Sequence, residues 1–148
     1  METKLKKAII DSVFTLGDSG GYKIYEWFKL FPEDRERALR EYFYLKAYLI
    51  IEASKNVGEK ISEADWNEIF FALGDSFQKE TINFKASYEE LCQAVKAYQE
   101  TKGIRQVANL FCQRAGIGES IHSRQFLPEV GDLLSRASAD LRKALRNK

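Results

Sequence analysis

The sequence predicts an all-α fold: a single-domain bundle of about six to seven helices around a central hydrophobic helix at about residues 32–57. Three observations carry this. Apolar residues recur at three- and four-residue spacing over most of the 148 positions. No segment of four to eight residues alternates apolar and polar, so no sheet is expected. Several glycines and both prolines stand at the joints between periodic segments. The composition, 45% hydrophobic and 30% charged, excludes a disordered or collagen-like chain. At this length roughly two-thirds of the unfolded surface can be buried, so residues 1–148 read as one domain with a sizeable core.

The first helix is read over residues 3–16, where Leu5, Ile9, Val13 and Leu16 form one stripe and Gly17 follows as a stop. Tyr22, Tyr25, Phe28 and Phe31 line a short second helix that Pro32 breaks. Pro32 then opens the third helix, with Glu33 and Asp34 at the positive end of its dipole. Along that helix Leu39, Tyr42, Phe43, Leu49, Ile50 and Ala53 cover one face, and Tyr44, Leu45, Tyr48 and Ile51 much of the other. A helix apolar nearly all round is buried by neighbours on several sides, which places it at the centre.

Ser62-Glu63-Ala64-Asp65 is a capping box that starts a helix through Trp66, Ile69, Phe70 and Leu73 to about Gln78. A second box, Ser87-Tyr88-Glu89-Glu90, starts a helix carrying Leu91, Val95 and Tyr98 and stopping at Gly103. Ile104, Val107, Ala108 and Phe111 make the next, ended by Gly116 and Gly118. Residues 120–127 have no clear assignment, and Pro128 is read as the opening of the last helix. Phe14–Ser19 and Phe71–Ser76 differ at one position of six; both are read as an apolar helix end, a glycine stop and an Asp-Ser restart.

Charge is balanced, 23 basic against 22 acidic side chains, so no global field steers the chain to nucleic acid or anionic lipid. Its distribution is uneven. Residues 1–101 carry 14 basic and 18 acidic side chains; residues 102–148 carry 9 and 4. Lys4, Lys6 and Lys7 ahead of Ala8-Ile9-Ile10 resemble a leader, but Asp11 ends the apolar run after three residues. No stretch approaches the ~18 apolar residues of a membrane span. A cytoplasmic location, no membrane partner and two reduced thiols, Cys92 and Cys112, are expected.

The chemistry-bearing patterns are weak. Gly17–Gly21 lacks the Lys and hydroxyl of a phosphate loop and reads as a turn. Glu119-x-x-His122 has di-iron spacing, yet His122 is the only histidine and reads as a polar surface residue. Cys92 and Cys112 with His122 lack zinc spacing. No catalytic residue, metal or cofactor is expected. Glu33/Glu36 and Asp65/Glu68 are i,i+3 pairs that could hold Mg²⁺ from facing helices, although first-turn acids suit the dipole without it. Lys46, set among rings, is a possible ligand or Schiff-base residue; a lysine there ordinarily runs its stem over apolar surface and its head into water.

Nine of the 19 aromatic residues fall within positions 22–48. Either they form a large aromatic core, or Tyr22, Trp27, Tyr44 and Tyr48 are spare rings for a partner. The reading that follows is a non-enzymatic helical protein-interaction module, an adaptor, regulator or complex subunit, with a protein partner or self-association. One alternative is a nucleic-acid-binding accessory protein using Arg105, Arg114, Arg124, Arg136, Arg142, Lys143 and Arg146 as phosphate contacts. A second is a small-ligand binder or Mg-dependent enzyme built around Lys46 or the two acid pairs.

Overall fold

The computed structural model describes residues 3–16, 35–58, 60–80, 88–116 and 120–146. Six helices run through them: α1 (Thr3–Thr15), α2 (Arg35–Asn56), α3 (Glu63–Glu80), α4 (Tyr88–Gln99), α5 (Ile104–Ala115) and α6 (Ser120–Arg146), with no strand among the described residues. The predicted short helix at 22–31, Pro32 and the cap at Ser87 lie outside them.

Burial explains why α2 is the pillar. Every residue from Glu41 to Ile51 is buried, three full turns without an exposed face. A run of that kind needs cover on all sides, and α1, α4, α5 and α6 each pack against it. The surrounding helices are amphipathic and bury one stripe apiece. On α4 the stripe is Leu91, Ala94, Val95 and Tyr98; on α5 it is Val107, Ala108, Phe111, Cys112 and Ala115. On α6, Phe126, Val130, Leu133, Ala137 and Leu141 keep the same spacing. These stripes, with Ile9 and Val13 of α1 and Ile69 and Leu73 of α3, join a single apolar core. α3 reaches that core from the side, packing on α1 and α4.

The ends follow elementary capping. Ser62 Oγ accepts the Asp65 backbone N–H at 3.1 Å, the predicted N-cap of α3. Gly116 closes α5 with φ of +78°, its N–H returning to the Cys112 and Gln113 carbonyls.

Two expectations are corrected. Pro128 does not open the last helix: α6 begins at Ser120 and runs through Pro128, so residues 120–127 are helical. Proline interrupts a helical hydrogen bond but does not forbid the helix when packing supports it, and the Phe126 ring, fully buried 4.8 Å from Phe111, ties this first part of α6 to α5. The second concerns the repeated hexapeptide. At Phe14–Ser19 the helix ends at Thr15, whereas at Phe71–Ser76 α3 continues through Gly74 to Glu80. A helical glycine costs only about 1 kcal/mol, small enough for context to decide.

Candidate functional site

α4 and α5 both pack on α2 but hardly on each other. One face of α2 therefore opens between them at two places. Arg37, Arg40, Tyr44, Tyr48, Glu52 and Lys55 follow one another at three- and four-residue spacing and so share that face, with Glu41 beside Arg40 and one turn on from Arg37. The N-terminal half contributes to a polar cleft and the C-terminal half to a groove of mixed apolar and polar lining.

The cleft has a volume of about 270 Å³ and is lined by Arg37, Arg40, Glu41 and Tyr44 of α2, Glu90 and Gln93 of α4, and Arg114 of α5. Its floor is organised around Glu41, a buried carboxylate. Glu41 Oε1 accepts the Tyr98 hydroxyl and Arg114 Nε, each at 2.6 Å. Tyr44 donates its hydroxyl to Glu90 Oε2 at 2.8 Å. Arg37 Nε donates to the Arg114 carbonyl at 2.7 Å, satisfying one of the last orphan acceptors of α5 from the side that suits its dipole. Burial, reinforced by the neighbouring carboxylates, pushes the Tyr98 and Tyr44 hydroxyls well above the usual tyrosine range. Burial works against the Arg114 cation, yet the hydrogen bond and charge of Glu41 outweigh it and hold its pKa above the ordinary arginine value.

The groove encloses about 360 Å³. Its apolar lining is Tyr48, Leu49, Ile104, Val107, Val130 and Leu134, and its rim carries Glu52, Lys55, Gln99 and Thr101. Lys55 Nζ pairs with Glu52 at 3.2 Å on the rim. Ile104, 40% exposed, is with Phe71 (67%) one of two large hydrophobic residues exposed among those described. Phe71 stands on the outer side of α3, edge-on to Tyr88 with centroids 6.0 Å apart.

The predicted site residues are distributed as follows. Tyr22 and Trp27 lie outside the described residues. Tyr44 and Tyr48 are buried, not spare: Tyr44 is tied to Glu90 and Tyr48 stacks on Tyr98 at 5.4 Å. Each nevertheless lines one of the two openings, Tyr44 the cleft and Tyr48 the groove. Lys46 is buried too, its ammonium 5.1 Å from the Tyr42 ring centroid, which corrects the expectation that its head reaches water.

Arg114 is part of the Glu41 cluster and is half-buried. Arg105, Arg124, Arg142, Lys143 and Arg146 are exposed, and Arg136 is paired with Asp132 at 3.1 Å. Asp140 falls between Arg136 and Lys143 on the same side of α6, so acids interleave the bases there.

Glu33 lies outside the described residues, as do the side chains of Glu36 and His122. Glu68 bridges to Lys6 of α1 at 3.6 Å, and α3 packs on α1 and α4. Among the described residues no three acidic, thiol or imidazole groups gather as a metal site, and no helix is long and apolar enough to cross a membrane. Cys112 is buried, its thiol pushed up to about 11 by that burial; Cys92 is half-buried.

Glu41, Arg37, Arg40 and Ile104 were not singled out from sequence. The available signal was the polar residues at 37, 40 and 41 preceding an otherwise continuous apolar run. No protein-family model, curated protein or solved structure matches the chain.

Proposed function

We propose that the chain is a helical protein-interaction module that receives an apolar side chain of its partner in the groove between α2, α5 and α6. The observation that carries this is the exposed Ile104 at the edge of a pocket lined by Tyr48, Leu49, Val107, Val130 and Leu134. Concave apolar surface with a polar rim is where protein contacts concentrate their energy. Phosphate-backbone binding is disfavoured by the charge pattern: Arg114 is held by Glu41, Arg136 by Asp132, and Asp140 interrupts the remaining bases of α6.

A photo-crosslinking residue placed at Ile104 tests the reading in cells of the source organism, with a second placed at exposed Lys60 as control. A protein adduct from position 104 and not from 60 is the expected result; its mass, with light scattering of the purified chain, separates self-association from a different partner. An adduct to nucleic acid, or none at all, overturns the reading.

A further inference from the structure

We propose that the occupant of the groove is a second copy of this chain, whose Phe71 ring enters beside Ile104 in a head-to-tail contact. The proposal rests on the groove reading above and names the partner in it.

Shape is the first argument. Phe71 and Ile104 are the two large hydrophobic residues exposed among those described, and their settings are opposite. Phe71 is 67% exposed on α3, its ring edge-on to Tyr88, and so stands as a knob. Ile104 lines a recess of about 360 Å³. A cavity of about 150 Å³ already admits a benzene ring, so a phenyl group fits with space to spare. An aromatic ring also brings much contact area at little cost in conformational freedom.

Charge is the second. Glu68, one turn before Phe71, bridges Lys6 yet keeps 63% of its side chain exposed, and exposed Glu89 follows Tyr88. The knob is thus set among two acids and one base. Around Ile104, Lys102 and Arg105 are exposed against Glu100, two bases to one acid. The positive end of the α5 dipole adds to the same sign. Elsewhere on the rim Lys55 and Glu52 pair with each other. Opposite signs draw knob to groove, and like signs disfavour knob against knob or groove against groove.

Placement is the third. α3 packs on α1 and α4, while the groove lies between α2, α5 and α6. Knob and groove are therefore separate surfaces of one chain. A contact between them leaves a groove open on one copy and a ring free on the other, so it extends into a series or closes into a ring. An interface built on one aromatic side chain and a small charged rim belongs to the weak, transient class.

Sedimentation velocity of the purified full chain, from about 10 μM to 1 mM, tests this beside two variants, Phe71→Ser and Ile104→Glu. Both positions are exposed. Far-ultraviolet dichroism and the urea midpoint establish that the variants fold, and Ile104→Ser takes the place of Ile104→Glu if that one does not. The unaltered chain is expected to associate with a midpoint of about 0.1–1 mM, and each variant alone about tenfold or more weakly. An equimolar mixture of the two variants is expected to regain association as a dimer and nothing larger, because one keeps the ring and the other the groove. A mixture no more associated than its parts overturns the head-to-tail contact. Association lost in Ile104→Glu but kept in Phe71→Ser overturns Phe71 as the occupant and leaves the groove standing. A chain still monomeric at about 1 mM removes this inference, whereas an adduct from position 104 to a different protein would still support the groove. Association that survives both substitutions overturns the inference as well.

Discussion

Arg114 Nε stands 2.6 Å from the Glu41 carboxylate although the two residues are 73 positions apart, and the pair fastens the end of α5 to the first half of α2. Glu41 is buried and Arg114 about one-third exposed, so the pair is neither a surface bridge nor a fully desolvated one. Its main consequence is asymmetric. Removing the cation strands a buried carboxylate and leaves it the Tyr98 hydroxyl as donor.

Arg114→Met is therefore expected to lower stability by about 2–3 kcal/mol, somewhat less than for a fully buried pair because water reaches Arg114. Glu41→Gln, which keeps a hydrogen-bonding side chain in place, should lose about 1–2 kcal/mol. The combination Glu41→Met, Arg114→Met and Tyr98→Phe removes donor and acceptor together and should be less destabilised than Arg114→Met alone. Urea unfolding of the variants checks the order; a triple variant worse than the single one would mean that the polar cluster stabilises the fold outright.

That cluster also marks what could be read in advance. The pillar was legible because rings and aliphatics occupy positions 42–51 all round the helix, and Ser62 and Gly116 were legible because capping is local chemistry. The same all-round pattern implied that Tyr44 and Tyr48 belong to the core. As spare rings for a partner they would need an open flank on α2, and four neighbours cover it. Glu41 was not legible: an acid one turn inside a helix looks solvated until Tyr98 and Arg114, from two later helices, converge on it. Residues 120–127 were missed for the same reason, since the Phe111–Phe126 contact that supports them is not a local pattern.

Alkaline pH tests the buried proton donors. Cys112 has its thiol raised from 9.0 to about 11 by burial, so in the native state it keeps its proton where the unfolded chain has lost it. A raised native pKa contributes stability that is fully present below the unfolded value and is lost as pH rises through the native one. Unfolding free energy should thus fall between pH 9 and 11, with buried Tyr44 and Tyr98 adding to the decline above pH 10. Cys112→Ala should flatten the part between pH 9 and 10 while lowering stability at pH 7. Urea titrations at pH 7, 9 and 10 measure both; an unchanged slope in the variant would refute the assignment to Cys112.

Lys46 offers a contrast, because its burial serves no visible reaction. Its ammonium lies against the Tyr42 ring, 5.1 Å from the centroid, inside the most enclosed part of α2. Lys46→Met keeps an unbranched stem of similar length and gives up the ammonium's contact with the Tyr42 ring. It is expected to lower stability by about 1–2 kcal/mol. Lys46→Glu places a carboxylate in the same surroundings and should unfold the chain at room temperature or nearly so. Thermal melts of the two proteins decide, and a strongly destabilised Lys46→Met would show that the ammonium is itself required.

Pro128 supplies a prediction of the opposite sign. It lies in the interior of α6, eight residues past Ser120, where it cannot donate to the Arg124 carbonyl one turn back, and its side chain is exposed. Pro128→Ala restores that donor and removes the clash of the ring with the preceding turn, a gain of up to about 3 kcal/mol on helix propensity. The unfolded chain becomes more flexible in exchange, which returns about 1 kcal/mol. A net rise of about 1–2 kcal/mol is expected, seen as a higher melting temperature and greater amide protection at residues 124–128. Should stability fall instead, the backbone geometry that Pro128 favours would be what brings Phe126 onto Phe111, and the first turns of α6 would depend on the proline for their packing.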